Sequence, residues 1–156
     1  MRQNEDYKPR YFALQELYAS NTAIHHNILN FPAAADQRRL NMLIRYVLDP
    51  LRQRFGRALR VTSGYRCTAL NSIVGGSATS DHLRGLAADI VPADNTPDER
   101  HRLWAIAERM TREGSLPVKQ LINEHGYTWL HISIDLDPAT GDVARSPRRQ
   151  IFSIPK

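Results

Sequence analysis

Val74-Gly75-Gly76-Ser77-Ala78-Thr79-Ser80-Asp81-His82-Leu83-Arg84-Gly85-Leu86-Ala87-Ala88-Asp89-Ile90-Val91 passes from turn-forming residues directly into a short apolar strand. As far as Ser80 the residues are mostly Gly, Ser and Thr, which favour turns over regular structure. Residues 86–91 form an apolar run of strand length with one carboxylate, Asp89, inside it. An acid buried in such a run needs a partner, because an unpaired charge away from water is costly.

Upstream, Leu40, Leu43, Ile44, Val47, Leu48, Leu51 and Phe55 recur at three- and four-residue steps within residues 36–55. That spacing predicts a helix with one buried stripe, and Pro50 should kink or restart it. Residues 60–62 read as a short strand ending at Ser63-Gly64, followed by a loop and a helical turn at 69–71. Downstream, Thr96-Pro97-Asp98-Glu99 supplies an N-cap, a Pro at the first helical position and a Glu placed to complete a capping box. Leu103, Ile106, Ala107 and Met110 then share one face of a helix that should stop by Gly114. Residues 118–123 and 129–134 read as two strands joined around His125-Gly126. Leu130, Ile132 and Ile134 point to one side of the second, and Trp129, His131 and Ser133 to the other. This order of elements predicts an α+β fold, an antiparallel sheet flanked by helices.

At 156 residues, with 42% hydrophobic and 24% charged residues, the chain suits a single domain over residues 1–156, with 138–156 as a tail. No apolar run is long enough for a membrane span, and Met1-Arg2-Gln3-Asn4-Glu5-Asp6 is not followed by the apolar stretch of a secretory signal. The expectation is a protein made in the cytoplasm without a signal peptide. Cys67 is the one cysteine, which excludes an internal disulfide, a four-cysteine zinc site and a redox pair. Lys and Arg outnumber Asp and Glu by 21 to 16, and the net charge of +5 favours anionic partners. The densest basic cluster, Arg145-Ser146-Pro147-Arg148-Arg149, lies in a Pro-interrupted segment without stacking aromatics and reads as a solvated tail, with no specific nucleic acid expected.

His82 in a Gly-flanked loop, Asp89 in an apolar strand and His131 in the last strong strand stand where a plain core would not put polar groups. Two His and one carboxylate form a ligand set for zinc, with a fourth position left for water in a catalytic site. Each also has an ordinary reading: a strand His is often a hydrogen-bonded core residue, and an inward Asp is often ion-paired. Ala87 and Ala88 leave room for a metal and substrate, or are simply packing residues of the strand.

Ser80 to Asp89 matches SxHxxGxAxD at all five fixed positions, and in this it resembles the zinc D-alanyl-D-alanine carboxypeptidases and related peptidoglycan peptidases. Ser63-Gly64-Tyr65-Arg66 is similar to the SGYR element of that family, and Trp129-Leu130-His131-Ile132-Ser133 to its WxHxS strand. The likeness runs from about Phe12, through Leu48-Asp49-Pro50-Leu51-Arg52, to about Ser133, and is closest to small single-domain members often encoded by phages. It implies a fold shared with hedgehog signalling domains and one Zn2+ per chain, bound by His82, Asp89 and His131. Gly85 would let the backbone turn tightly between the first two ligands.

Peptide hydrolysis at zinc also needs a general base. Some branches of the superfamily carry an acid three residues before the last His, where this chain has Thr128. In the branch it most resembles, a Glu precedes that His by about six residues, which makes Glu124, seven before His131, the base. An ideal two-residue turn at His125-Gly126 would pair Glu124 with Tyr127 and leave it roughly 13 Å from His131, at about 3.3 Å per residue, so the assignment requires a wider or bulged loop. His125 is the replacement candidate. The resemblance also implies that Arg66 holds a substrate carboxylate and that Ser80 hydrogen-bonds substrate or a ligand. Cys67 reads as packing, and His25, His26 and His101 as surface residues.

The expected function is cleavage of peptidoglycan stem peptides, most simply at a terminal D-Ala-D-Ala bond, by a protein expected to be a monomer. The alternatives are an L-alanyl-D-glutamate endopeptidase with the same metal site, and a zinc-stabilised wall-binding module without catalysis. A phage lysis enzyme released through a holin, or a virion-associated one, suits a chain without a signal, and the positive charge would draw it to anionic wall polymers.

Overall fold

Leu40, Leu43, Ile44, Val47, Leu48, Leu51 and Phe55 are all buried in one core, as the helical spacing predicts. The computed structural model describes residues 7–145 and 149–155. Met1 to Asp6 and Ser146, Pro147 and Arg148, which entered the readings of the N-terminus and the basic cluster, lie outside them. The helices are α1 (Asn21–His25), α2 (Ala34–Leu43), α3 (Asp49–Phe55), α4 (Thr68–Ile73) and α5 (Pro97–Arg112). The strands are β1 (Leu59–Ser63), β2 (Ala87–Pro92), β3 (Gln120–Glu124), β4 (Trp129–Ser133) and β5 (Gln150–Ser153), arranged as one sheet in the order β1-β2-β4-β3-β5.

Pro50 does not break the long helical stretch. It lacks the N–H that a helix would direct at the carbonyl of Tyr46, and residues Ile44–Leu48 take a wider π turn before α3 begins. Asp49, which a following Pro would push away from helical angles, stays helical with φ −63° and ψ −47°. Its buried carboxylate accepts hydrogen bonds from the Tyr7 hydroxyl, from Arg10 N at 2.8 Å and from Tyr11 N at 3.1 Å. Burial, reinforced by the bond to Asp49, pushes the Tyr7 phenol up to about 12. Asp49→Ala would strand these donors, and a charged hydrogen-bond acceptor contributes about 1.5–3 kcal/mol. Denaturant unfolding should therefore show a loss of at least that size, and a smaller one for Asp49→Asn.

The sheet packs one face on the helices. Ala88 and Ile90 of β2 and Leu130 and Ile132 of β4 meet Leu103, Ala107 and Met110 of α5 in the core. Thr96 caps α5 by accepting from Glu99 N at 3.2 Å, but the capping box does not close. The Glu99 carboxylate is taken by Arg102, with both contacts at 3.0 Å, because a guanidinium fork outcompetes a single amide. No helix among the described residues is long and apolar enough to cross a membrane.

The first four strands pair antiparallel, whereas β5 joins β3 in parallel. This corrects the expectation of a purely antiparallel sheet followed by a tail. Residues 136 and 143 form an antiparallel bridge, Val143 is buried in the core, and the Arg145 guanidinium sits 4.5 Å above the Tyr46 ring. Apolar side chains at 143 and 151 give this segment surface to bury, which its Pro and Arg content concealed.

Candidate metal centre

Alternation along β2 sends Ala88 and Ile90 into the core and Ala87 and Asp89 to the opposite face. Asp89 pairs with His131 across β2 and β4, and Ala87 with Ser133. Ala87 therefore underlies the polar face and Ala88 is core packing, which separates two residues with one expected role.

His82 arrives on a single 3-10 turn, Asp81–Arg84, whose N-cap Ser80 accepts from His82 N at 3.2 Å. Gly85 then reverses the chain at φ +71°, a left-handed angle that other residues resist. A Cβ there would also stand 2.7 Å from the carbonyl of Asp36. The His82 ring is almost fully buried, and its Nδ1 lies 2.7 Å from the carbonyl of Gly64. Gly64 itself has no room for a side chain, since a Cβ would fall 2.0 Å from the carbonyl of Leu17. The glycine of the SGYR element thus lets the chain pass close enough to present its carbonyl to His82.

His82 Nε2 stands 3.3 Å and His131 Nδ1 2.9 Å from the same Asp89 oxygen, and one ligand atom from each of the three residues falls within 4.8 Å of the others. The outer nitrogens face acceptors: Gly64 O for His82, and Gln120 Oε1 at 3.3 Å for His131. An outer acceptor fixes the proton on that nitrogen and turns the inner lone pair toward the centre, the arrangement of metal-binding histidines. Burial pushes the Asp89 carboxyl upward, but hydrogen bonds and charge from His131 and His82 outweigh it and hold the pKa below the usual carboxylate range. A carboxylate and two imidazoles so oriented suit a zinc ion in donor type and number.

Glu124 pairs with Trp129, and Ile122 with His131. Glu124 and His131 therefore share a face, roughly 7 Å apart along the strands at about 3.3 Å per residue. The wider loop that the assignment requires is present as a four-residue turn with positive φ at His125, Gly126 and Tyr127. Buried Asn123 holds it through its Oδ1, which accepts from Tyr127 N at 2.7 Å. Burial, aided by the negative charge of Asp89, raises the Glu124 pKa, while His131, His125 and His82 pull it back.

Arg66, Ser80, His82, Asp89, Glu124 and His131 line one open cleft of about 720 Å³. Arg66 N donates to His82 O at 3.0 Å, and its side-chain Nε is buried with no acceptor among the described residues. Burial lowers the Arg66 pKa, with Asp89 partly compensating. Beyond Arg66 the surface continues as a groove of about 270 Å³, lined in part by Ser20, Thr62, Ser63, Leu70 and Val74. His25 and His26 are exposed, as is His101, which stacks on Tyr127. His125 stacks on Trp129, and Cys67 is half-buried at the start of α4.

Sequence reasoning missed Asn30, Gln120 and Lys119. Asn30 clamps the Arg66 loop, donating to Tyr65 O at 3.0 Å and accepting from Cys67 N at 2.8 Å. Its one signal is an amide within Ile28-Leu29-Asn30-Phe31. Lys119 pairs with Asp81 at 3.1 Å, tying β3 to the His82 turn. A family model described as Peptidase M15 matches residues 10–133, a span that contains every one of the six cleft residues named above. No curated protein matches the chain at a significant level.

Proposed function

The chain belongs to the peptidase M15 family and is a metallopeptidase, and on that premise we propose that it is a zinc-dependent hydrolase of peptidoglycan stem peptides, of the D-alanyl-D-alanine carboxypeptidase type. The observation that carries the reading is Arg66, whose buried Nε faces no protein acceptor beside the Asp89 cluster. A guanidinium binds a carboxylate through two parallel hydrogen bonds, so a peptide with a free carboxylate next to the cut bond would satisfy it.

His82, Asp89 and His131 would hold one zinc, which when bound polarises the scissile carbonyl and makes water acidic enough to attack near neutral pH. Glu124 takes a proton from the attacking water and delivers it to the leaving amine nitrogen. Arg66 fixes the substrate carboxylate and so the position of the bond to be cut. Ser80 braces the His82 turn and can offer its hydroxyl to the substrate. The net charge of +5 adds loose attraction to anionic wall polymers.

The groove beyond Arg66 favours a second reading, in which the peptide continues past that residue and an internal bond such as L-alanyl-D-glutamate is cut. Digestion of purified muropeptides followed by mass analysis separates the two, through loss of a single D-Ala or release of a longer stem fragment. Arg66→Ala should weaken capture of the carboxylate-bearing substrate by about 1.5–3 kcal/mol and leave zinc in place. Unchanged KM and turnover would remove Arg66 from that role, and wall binding without any product would point to a non-catalytic module.

A further inference from the structure

Beyond residue 133, where the family match ends, the C-terminal strand β5 lies along β3 and reaches the metal face. Gln120 of β3 is opposite Gln150 of β5, and Gln150 N donates to Lys119 O at 2.8 Å. Gln120 Nε2 donates to Gln150 Oε1 at 2.8 Å, which commits Gln120 Oε1 to the other side. There it faces His131 Nε2 at 3.3 Å and Ser133 Oγ at 3.5 Å. The run Gln150, Gln120, His131, Asp89 is thus a directed chain of hydrogen bonds from the last strand to the ligand cluster. The same strand braces the turn that carries Glu124, since Gly126 N donates to Ile154 O at 3.0 Å and Ile154 N to Asn123 O at 2.7 Å.

We propose that Gln120 is a positioning residue for His131, oriented in turn by Gln150, so that the C-terminal strand tunes the metal affinity of the site. The proposal rests on the zinc reading of His82, Asp89 and His131. A carbonyl oxygen at Gln120 requires the proton of His131 to sit on Nε2, which leaves Nδ1, the nitrogen facing Asp89, as the donor to a metal. Without that oxygen the ring can take the other tautomer or rotate, and part of the ligand geometry must be recovered on binding. Outer partners of this kind are worth about 10–100-fold in metal affinity.

The test is zinc affinity of the full chain, measured by competition with a chromophoric chelator at one fixed pH, with the absorption spectrum of the cobalt-substituted protein as a second readout. Gln120→Leu should weaken zinc binding about 10–100-fold and shift the cobalt bands, with thermal unfolding of the metal-free protein little changed. Gln150→Ala should cost about two- to tenfold, the scale of one net hydrogen bond, and that loss should vanish in the Gln120→Leu background. Gln120→Glu keeps an acceptor for His131 and should retain wild-type or tighter affinity, which also covers the case in which Gln120→Leu does not fold. Wild-type affinity in Gln120→Leu, additive losses in the double variant, or an equal loss in Gln120→Glu would each overturn the proposal. A wild-type chain that takes up no zinc overturns it together with the metal reading. A zinc-binding chain inactive on every muropeptide overturns only the substrate reading.

Discussion

Glu124→Gln is expected to keep the fold and the metal yet lower turnover by about 10²–10⁴-fold, the usual contribution of a general acid–base group. The amide preserves the shape of the side chain but cannot accept a proton. Its position follows from strand register: Glu124 faces Trp129, one alternation from the Ile122–His131 pair, and lines the same cleft as the ligand cluster. The acids after β4 are engaged elsewhere, with Asp135 accepting from Leu136 N at 2.9 Å and Asp137 from Ala139 N at 2.8 Å. Thr128, at the position some relatives use for an acid, donates its hydroxyl to His125 O at 2.7 Å. Turnover by Glu124→Gln close to that of the wild type would end the assignment and turn attention to His125. Metal content measured on the same sample separates loss of a base from loss of zinc.

Asp89→Ala should remove most of the metal and with it the activity. One Asp89 oxygen is the shared partner of His82 and His131, so its loss deletes a ligand and leaves the two imidazoles without the charge that draws them together. His131→Ala and His82→Ala should act in the same direction. A metal that binds the folded state stabilises it by mass action, so a chelator should lower the Tm of the wild type and leave that of Asp89→Ala unchanged. Full zinc occupancy in Asp89→Ala or His131→Ala, measured as metal per chain, would contradict the ligand set.

The elements that position the site were legible from local pattern. The stripe from Leu40 to Phe55, the apolar run around Asp89 and the alternation through His131 each record burial on one face. Helical and strand periods convert that burial directly into spacing along the chain. The SxHxxGxAxD segment was legible for a related reason, because its 3-10 turn, left-handed Gly85 and first strand residues are consecutive. The register of the Glu124 turn was not, since it is held open by the Asn123 side chain and by Ile154, some thirty residues away. Nor was β5, whose parallel pairing with β3 leaves no mark in a segment rich in Pro and Arg. Glu99 had the right spacing for a capping box and was drawn off by Arg102, a competition between two legitimate local partners. The chain itself determined which residues are buried and which can bind a metal. Tertiary structure decided which distant groups orient them, because hydrogen-bond partners brought together across a sheet follow no sequence period.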